Sequence, residues 1–424
     1  MNKIVLLFIA MAAVSAFAQH ETVLYSFKGG TDGNGPSGGN LIFDNAGDLV
    51  GATSSGGTGS SCYYGCGTIF RVTRNKTGWV ESVIYNFTGG TTDGSSPNGD
   101  LAIDARGTLY GTTSSGGAYG YGVVFELKRS ALGYSETVLH DFASGTDGAW
   151  PYAGLVIDSR HNLYGTTSSG GGGTNDGGIV FELSPSGGGW IYSVLHVFGN
   201  GTDGATSYDR LTMDSAGNLF GTTAFGGSGA SSCPFSYGCG TAFELTHGAN
   251  NVWKEGVIYS FVGNIGALDA AQPRGSLAFD ATGNLYGTSW DGGSCIEGCG
   301  TVFEISPSAS GWTDKVLFSF LGSSTGLIPN AGVAIDGSGN LYGTTVFGGG
   351  KGRCLYGQEN FYCGTLYKLS LTNGAWTESF PHIFVSRDGA EPWGGLILDK
   401  VGNLYGTTTF GGAYGFGIVY RLTP

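Results

Sequence analysis

Seven times along this chain the string Leu-Tyr-Gly-Thr-Thr recurs, whole or with one or two residues changed. Its glycines are Gly51, Gly111, Gly165, Gly221, Gly287, Gly343 and Gly406, in steps of 54 to 66 residues. Repetition at such a period makes each copy one supersecondary unit, which cannot bury its apolar face alone and must pack on its neighbours. Each unit holds four short runs. In the third copy they are Gly154–Asp158, Asn162–Thr167 after an Asp-x-x-Gly-Asn type of turn, Gly178–Leu183 after a Gly-rich loop, and Ser193–Phe198 after a Gly-aromatic hairpin. Runs of five or six residues rich in Val, Ile, Tyr and Phe, bounded by Gly, Asn and Asp, read as strands. No stretch carries the 3.6-residue period of an amphipathic helix.

Four antiparallel strands repeated seven times predict an all-β, seven-bladed propeller. A linear solenoid is the rival, and it requires capping repeats with a polar outer face, which the sequence lacks. The ends argue for closure. Thr22–Phe27 is a fourth-type strand with no unit before it, and the last unit stops after its third-type strand, Ile418–Leu422. The N-terminal strand is expected to complete the last blade and so cover a bare sheet edge.

The units resemble those of secreted bacterial tandem-repeat proteins of the GloVer type, with a Leu-Tyr-Gly-Thr-Thr core followed by Gly-Gly and then Gly-Thr-Val-Phe. The resemblance spans residues 21–424 and implies export and repetition, with no particular reaction. The segment Gly-Leu-x-x-Asp-x-x-Gly-Asn-Leu-Tyr also resembles the inner strands of NHL-type and gluconolactonase-like propellers, a likeness of fold alone.

Residues 1–18 read as a secretory signal: Lys3, the apolar stretch from Ile4 to Val14, and Ala16-Phe17-Ala18 before the cut. Residues 19–424 would then be one exported propeller, monomeric, outside the cell or in the periplasm. No later segment approaches the ~20 apolar residues of a membrane helix. A net charge of -13 leaves no electrostatic footprint for nucleic acid or anionic lipid. Glycine is extreme, at 82 residues, but 13% aromatic content in regular short runs opposes disorder.

Much of the chain is expected to be scaffold. The Asp ending each first run (Asp44, Asp104, Asp158, Asp214, Asp280, Asp336, Asp399) suits hydrogen bonding to its own turn rather than a metal. The fourth runs alternate Val-x-Tyr-x-Phe, so Val23, Tyr25 and Phe27 are expected on one face. There His140, His196 and His382 stand in for tyrosine in an inter-blade layer. Asp32, Asp93, Asp147, Asp203, Asp269 and Asp388 read as loop-turn acids, too sparse for a calcium loop. Eight cysteines fall into local pairs, Cys62/Cys66, Cys233/Cys239, Cys295/Cys299 and Cys354/Cys363, all in second-to-third loops. An even count in an exported chain points to disulfides, and zinc is the alternative. As disulfides, the pairs are expected to stiffen long loops. Neither a metal nor a cofactor is implied elsewhere.

Propeller strands alternate in direction, so the second-to-third and fourth-to-first loops share one face, which holds every cysteine and most irregular aromatics. Binding is expected there. The candidate ligand-binding residues are Trp150, Tyr152, Tyr208, Arg210, Arg274, Trp290 and Trp393, rings and guanidinia suited to a glycan or a cell-surface peptide. No catalytic residue is assigned, because no histidine maps to this face except His20 at the start of the mature chain. A carboxylate pair such as Asp209 with Glu391 is the one opening for chemistry. The expectation is therefore a non-catalytic binding or scaffold propeller. The alternatives are a polysaccharide lyase or lactone hydrolase on the same fold, and a structural matrix protein.

Overall fold

The computed structural model describes residues 20–423 except 37–38, 132, 174–175, 200, 229–232, 234–235, 249–251, 264–268, 296–297, 310, 351–353 and 355–362. The segment expected to be a secretory signal, residues 1–18, lies outside the described residues. Seven antiparallel sheets follow one another around the molecule as blades, six of four strands and the fifth of five, where Ala270–Pro273 is added beside Ala278–Phe279. In the first blade the strands are Ile42–Phe43, Leu49–Thr53, Thr68–Asn75 and Gly78–Asn86. The last blade takes Ile397–Leu398, Leu404–Thr408 and Ile418–Thr423 from the C-terminal end and His20–Ser26 from the N-terminal end. His20 pairs with Thr423 and Ser26 with Ile418. The ring is therefore closed, and the solenoid is ruled out.

The aromatic residue that ends each fourth run makes the joint to the next blade. Phe87 meets Phe125, Phe142 meets Phe181, Phe198 meets Phe243, and Phe384 meets Tyr420, edge to face with centroids 5.0 to 5.3 Å apart. Phe27 meets Phe70 in the same way at 5.0 Å, so the closing joint repeats the others. The tip of each third-strand ring abuts the glycine of the repeat string. A Cβ on Gly51 would lie 2.7 Å from Phe70 and 2.8 Å from Leu41. Steric exclusion, not a turn, fixes that glycine. Blades six and seven carry Tyr367 and Tyr420 in place of phenylalanine, and both hydroxyls are buried with no hydrogen-bond partner.

Two expectations about the strands change. The first strands pair over two residues only, because the residues before them are used in packing around the channel. The fourth strands do not alternate cleanly. A bulge lets Ile69 and Phe70 face Tyr85 and Val83, leaving Ile84 over, and an equivalent shift separates Val23 from Tyr25. An extra residue turns the following side chains: Val23 is 37% exposed, whereas Leu24 is buried near Phe27.

The turn acids behave as expected. Asp44 accepts from the Ala46 and Asp48 amides, and the same pattern recurs at Asp158, Asp214 and Asp336. The loop acids form a second layer at the outer rim. Tyr25 donates to Asp32 at 2.7 Å and Tyr85 to Asp93 at 3.1 Å, and the same acids take the Lys28 and Thr88 amides. His140 replaces the tyrosine, lies 3.0 Å from Asp147 and stacks on Tyr192 of the next blade at 3.8 Å. Phe318 cannot donate, and there Thr325 stands in place of the acid, holding the Leu321 amide.

All four cysteine pairs are disulfides, a chemistry that belongs to an oxidising compartment. All eight lie in second-to-third loops, as the sequence predicts. One partner of each pair, Cys66, Cys239, Cys299 and Cys363, is at the same time buried in the core. They pack in the same apolar clusters as the joint aromatics Phe87, Phe261, Phe320 and Phe384. The physical reason lies in the main chain. Each of the four carbonyls accepts an amide of the chain entering the next blade, from Ser96, Gln272, Ile328 and Glu391 in turn. The following glycine carbonyl accepts the amide of the joint aromatic, as Gly67 does from Phe87. Tied on both sides, these cysteines sit under the joint. Their partners Cys62, Cys233, Cys295 and Cys354 are only partly buried, so each bridge anchors a loop to the core. Among the described residues no helix is long and apolar enough to cross a membrane.

Candidate functional site

At the channel mouth on the loop-rich face, the chain entering each first strand lines a cavity of about 310 Å³. The neighbouring entries touch backbone to backbone. A Cβ on Gly39 would meet the Gly99 carbonyl at 2.6 Å, one on Gly99 would meet Ala153 at 2.5 Å, and one on Gly275 would meet Ala331 at 2.8 Å. Small residues are therefore required two places before each first-strand leucine or valine: Gly39, Gly99, Ala153, Gly275, Ala331 and Gly394. The fourth blade departs from this rule with Asp209.

Asp209 is buried, and burial raises its carboxyl well above the usual carboxylate range, against the pull of Thr222 and Arg274. Thr222 donates to its Oδ2 at 3.1 Å. Its counterparts Thr112, Thr288 and Thr344 instead donate to a main-chain carbonyl of the next blade. Asp209 thus diverts one inter-blade bond into the site.

The walls divide by chemistry. On one side Tyr152 lies against Tyr208 at 5.8 Å, and Arg274 lies between Tyr208 at 4.7 Å and Trp290 at 3.9 Å. Trp290 then meets Trp393 at 5.8 Å. Together they make one continuous arc of rings around a guanidinium. Burial lowers the Arg274 pKa, and its Nε is buried without a hydrogen-bond partner. Nearby Asp291 is pushed up to about 6 by burial, opposed by Arg274. The other side is polar. Asp100 accepts from the Asn40 amide at 2.6 Å and its Nδ2 at 3.1 Å, and pairs with Arg210 at 3.6 Å. Asn98 and Asn330 complete the lining.

Six of the seven expected ligand-binding residues, Tyr152, Tyr208, Arg210, Arg274, Trp290 and Trp393, line this one cavity. Trp150 does not. Trp150 and Glu391 occupy the same place in the repeat, at φ 55° in each case. Such a left-handed residue turns its side chain out of the line its neighbours follow. Trp150 packs beside Tyr121 at 6.0 Å. Glu391 is absent from the lining and accepts from Trp393 Nε1 at 3.3 Å, so Asp209 and Glu391 are not a pair in the cavity. The cysteines take no part in the mouth either: Cys66, Cys239, Cys299 and Cys363 are withdrawn into the joints, and the lining holds no sulfur. Sequence reasoning passed over Asp100, Asn40, Asn98 and Asn330. Their signal was available: Asn40 and Asp100 stand where other blades hold Gly154, Gly332 and Gly395, and Asn98 and Asn330 take the place of Tyr152, Tyr208, Arg274 and Trp393. Among the described residues, three metal-type ligand atoms come together only at Glu21, His382 and Asp388, on the rim.

The profile of the Gloeobacter/Verrucomicrobia repeat family matches residues 13–235, 172–355 and 228–424. No curated protein matches the chain. Among solved structures, the fold is similar to a Bacteroides uniformis protein provisionally named a 6-phosphogluconolactonase, at 13% identity and TM-score 0.51, covering 87% of this chain and 88% of that one. A gluconolactonase from Xanthomonas campestris matches at 14% identity and TM-score 0.40, over 79% and 87% of the two chains. The expectation of a non-catalytic binding or scaffold propeller is corrected here. It rested on the want of a histidine or a serine motif facing the mouth, with Asp209 weighed only as half of a pair with Glu391. The mouth holds Asp209 as a buried carboxyl in one cavity with Arg274, and the similar Bacteroides structure is of a protein named for an enzyme.

Proposed function

The chain belongs to the Gloeobacter/Verrucomicrobia repeat family, and from the geometry of its mouth we propose that it is an exported lactone hydrolase acting on sugar-derived lactones. The observation that supports this best is Asp209, a buried carboxyl at a ring position that the other six blades fill with Gly or Ala. A proton-transfer group works best with a pKa near the operating pH, and burial raises a carboxyl in that direction. In its ionised form Asp209 takes a proton from water as that water attacks the lactone carbonyl carbon. The guanidinium of Arg274 faces the negative charge that develops on the carbonyl oxygen. The tetrahedral species collapses, the bond from carbon to ring oxygen breaks, and Asp209 returns the proton to that oxygen. The product is the open hydroxy acid. The arc of Tyr152, Tyr208, Trp290 and Trp393 suits the apolar faces of a sugar ring, and Asn40, Asn98 and Asn330 suit its hydroxyls.

The test is proton release from glucono-1,5-lactone at pH 6.5, followed against spontaneous opening. Turnover is expected from the wild-type chain, with Asp209→Asn lowering kcat about 100-fold or more. No rate above the spontaneous one across a panel of aldonolactones would overturn the reading, as would an Asp209→Asn variant of undiminished kcat.

A further inference from the structure

Outside the mouth, the rim of the joint between blades six and seven holds a group of side chains that converge on one point. Glu21 lies on the N-terminal strand, His382 on the fourth strand of blade six, and Asp388 in the loop that follows it. One ligand atom from each lies within 4.8 Å of the other two. Glu21 Oε1 and His382 Nε2 are both buried without a hydrogen-bond partner. Buried polar atoms are nearly always paired, so two unpaired ones facing a common point require an explanation.

The other joints supply a contrast. Where the strand residue is Tyr25 or Tyr85, its hydroxyl closes directly on the loop acid at 2.7 or 3.1 Å. Where it is His140, the ring reaches Asp147 at 3.0 Å and the facing residue of the next blade is Tyr192, stacked on it. At the joint of blades six and seven the histidine stands off, 3.6 Å from Asp388 Oδ2, and Glu21 faces it from blade seven. A buried Oε1 without a hydrogen-bond partner recurs at Glu81, Glu136 and Glu255, and His196 stands 3.3 Å from Asp203; what sets this joint apart is that, among the described residues, only here do three ligand atoms come within 4.8 Å of one another. Two ligands bound at ~2.1 Å in a tetrahedral array lie about 3.4 Å apart. The separation between His382 and Asp388 therefore suits two atoms holding one ion better than it suits a hydrogen bond.

We propose that Glu21, His382 and Asp388 bind a divalent cation of the zinc class, which ties the N-terminal strand to blade six. One imidazole nitrogen and two carboxylate oxygens are a donor set that borderline first-row cations accept. Asp388 Oδ1 already takes the Val385 amide at 2.7 Å, an outer contact that orients the carboxylate and leaves Oδ2 for the ion. The His382 and Asp388 side chains are 17% and 21% exposed, which gives the ion a way in and water a fourth position.

The test is calorimetric titration of the chelator-treated full chain with Zn²⁺, joined to Co²⁺ absorption spectra. The wild-type protein is expected to take up Zn²⁺ with micromolar or tighter affinity, raise its thermal midpoint, and show visible Co²⁺ bands. Glu21→Gln and His382→Phe are each expected to weaken that uptake at least tenfold and to remove the bands. Phenylalanine is what blade five carries at this place, as Phe318, so His382→Phe keeps the packing of the joint. His196→Phe, the same change at another joint, is expected to leave the uptake between blades six and seven in place. Wild-type protein that takes up no Zn²⁺, or uptake unchanged in both Glu21→Gln and His382→Phe, would overturn the proposal. Neither result bears on lactone hydrolysis at the mouth.

Discussion

Replacing Tyr367 and Tyr420 with phenylalanine should make the protein more stable, although both side chains are fully buried and most core substitutions destabilise. Each hydroxyl is buried without a hydrogen-bond partner, and burial raises both phenol pKa values. An unpaired buried hydroxyl costs about 1–3 kcal/mol. Phenylalanine keeps the ring and its edge contacts with Phe320 and Phe384, at 5.1 and 5.2 Å. Five other blades already use it, as Phe70, Phe125, Phe181, Phe243 and Phe303. The two sites lie in separate aromatic joints, so their effects should nearly add, giving roughly 2–6 kcal/mol for the double variant. With an unfolding entropy of ~2.1 cal/mol/K per residue over ~400 residues, that gain raises the thermal midpoint by about 2–7 °C. Guanidinium unfolding and calorimetry of both single variants and the double variant would measure it. A double variant no more stable than wild type would show that the hydroxyls are satisfied or harmless, and the packing argument would fail.

Other expectations follow from the same geometry. Phe27→Ala should cost about 3–5 kcal/mol in urea unfolding, as at any buried aromatic. Val23→Ala, on the exposed side of the same strand, should cost under ~1 kcal/mol; equal losses would contradict the bulge. Asp314 is pushed up to about 8, by burial first and by Asp269 second. Its folded pKa lies above its unfolded one, so its contribution is fully present below about pH 4 and is lost as pH rises through 8. Asp314→Asn should therefore raise stability by about 2–4 kcal/mol at pH 9 and leave it unchanged at pH 3; a gain independent of pH would refute this linkage. If the mouth binds lactone, Trp393→Ala should raise KM about tenfold, while Trp150→Ala, outside the cavity, should leave it unchanged.

The mouth was partly legible before any coordinates. Tyr152, Tyr208, Arg274 and Trp393 fall at one place in four of the seven repeats, so the strand count alone carries them to the channel. Trp150 and Glu391 fall outside it because pattern reading assumes an even path, and a left-handed residue bends that path in every repeat. Asp209 was visible as an acid near the channel. That the sister positions Gly39, Gly99 and Gly275 leave no room for a side chain becomes clear only when neighbouring entries are known to touch. The cysteines divide in the same way. Spacing pairs them, but only the contact of one blade with the next shows that Cys66, Cys239, Cys299 and Cys363 belong to the core.

The sequence by itself determined the sevenfold unit, its four strands, the disulfide pairs and the closing role of residues 20–26. Those features depend on local patterns and on counting, and a repeat states its local rules seven times. Tertiary structure decided which carboxyl is desolvated, which rings hold Arg274, and that Glu21 meets His382 across the seam. Burial and proximity between distant residues arise only when the ring closes, because closure brings together groups that lie hundreds of residues apart in the chain.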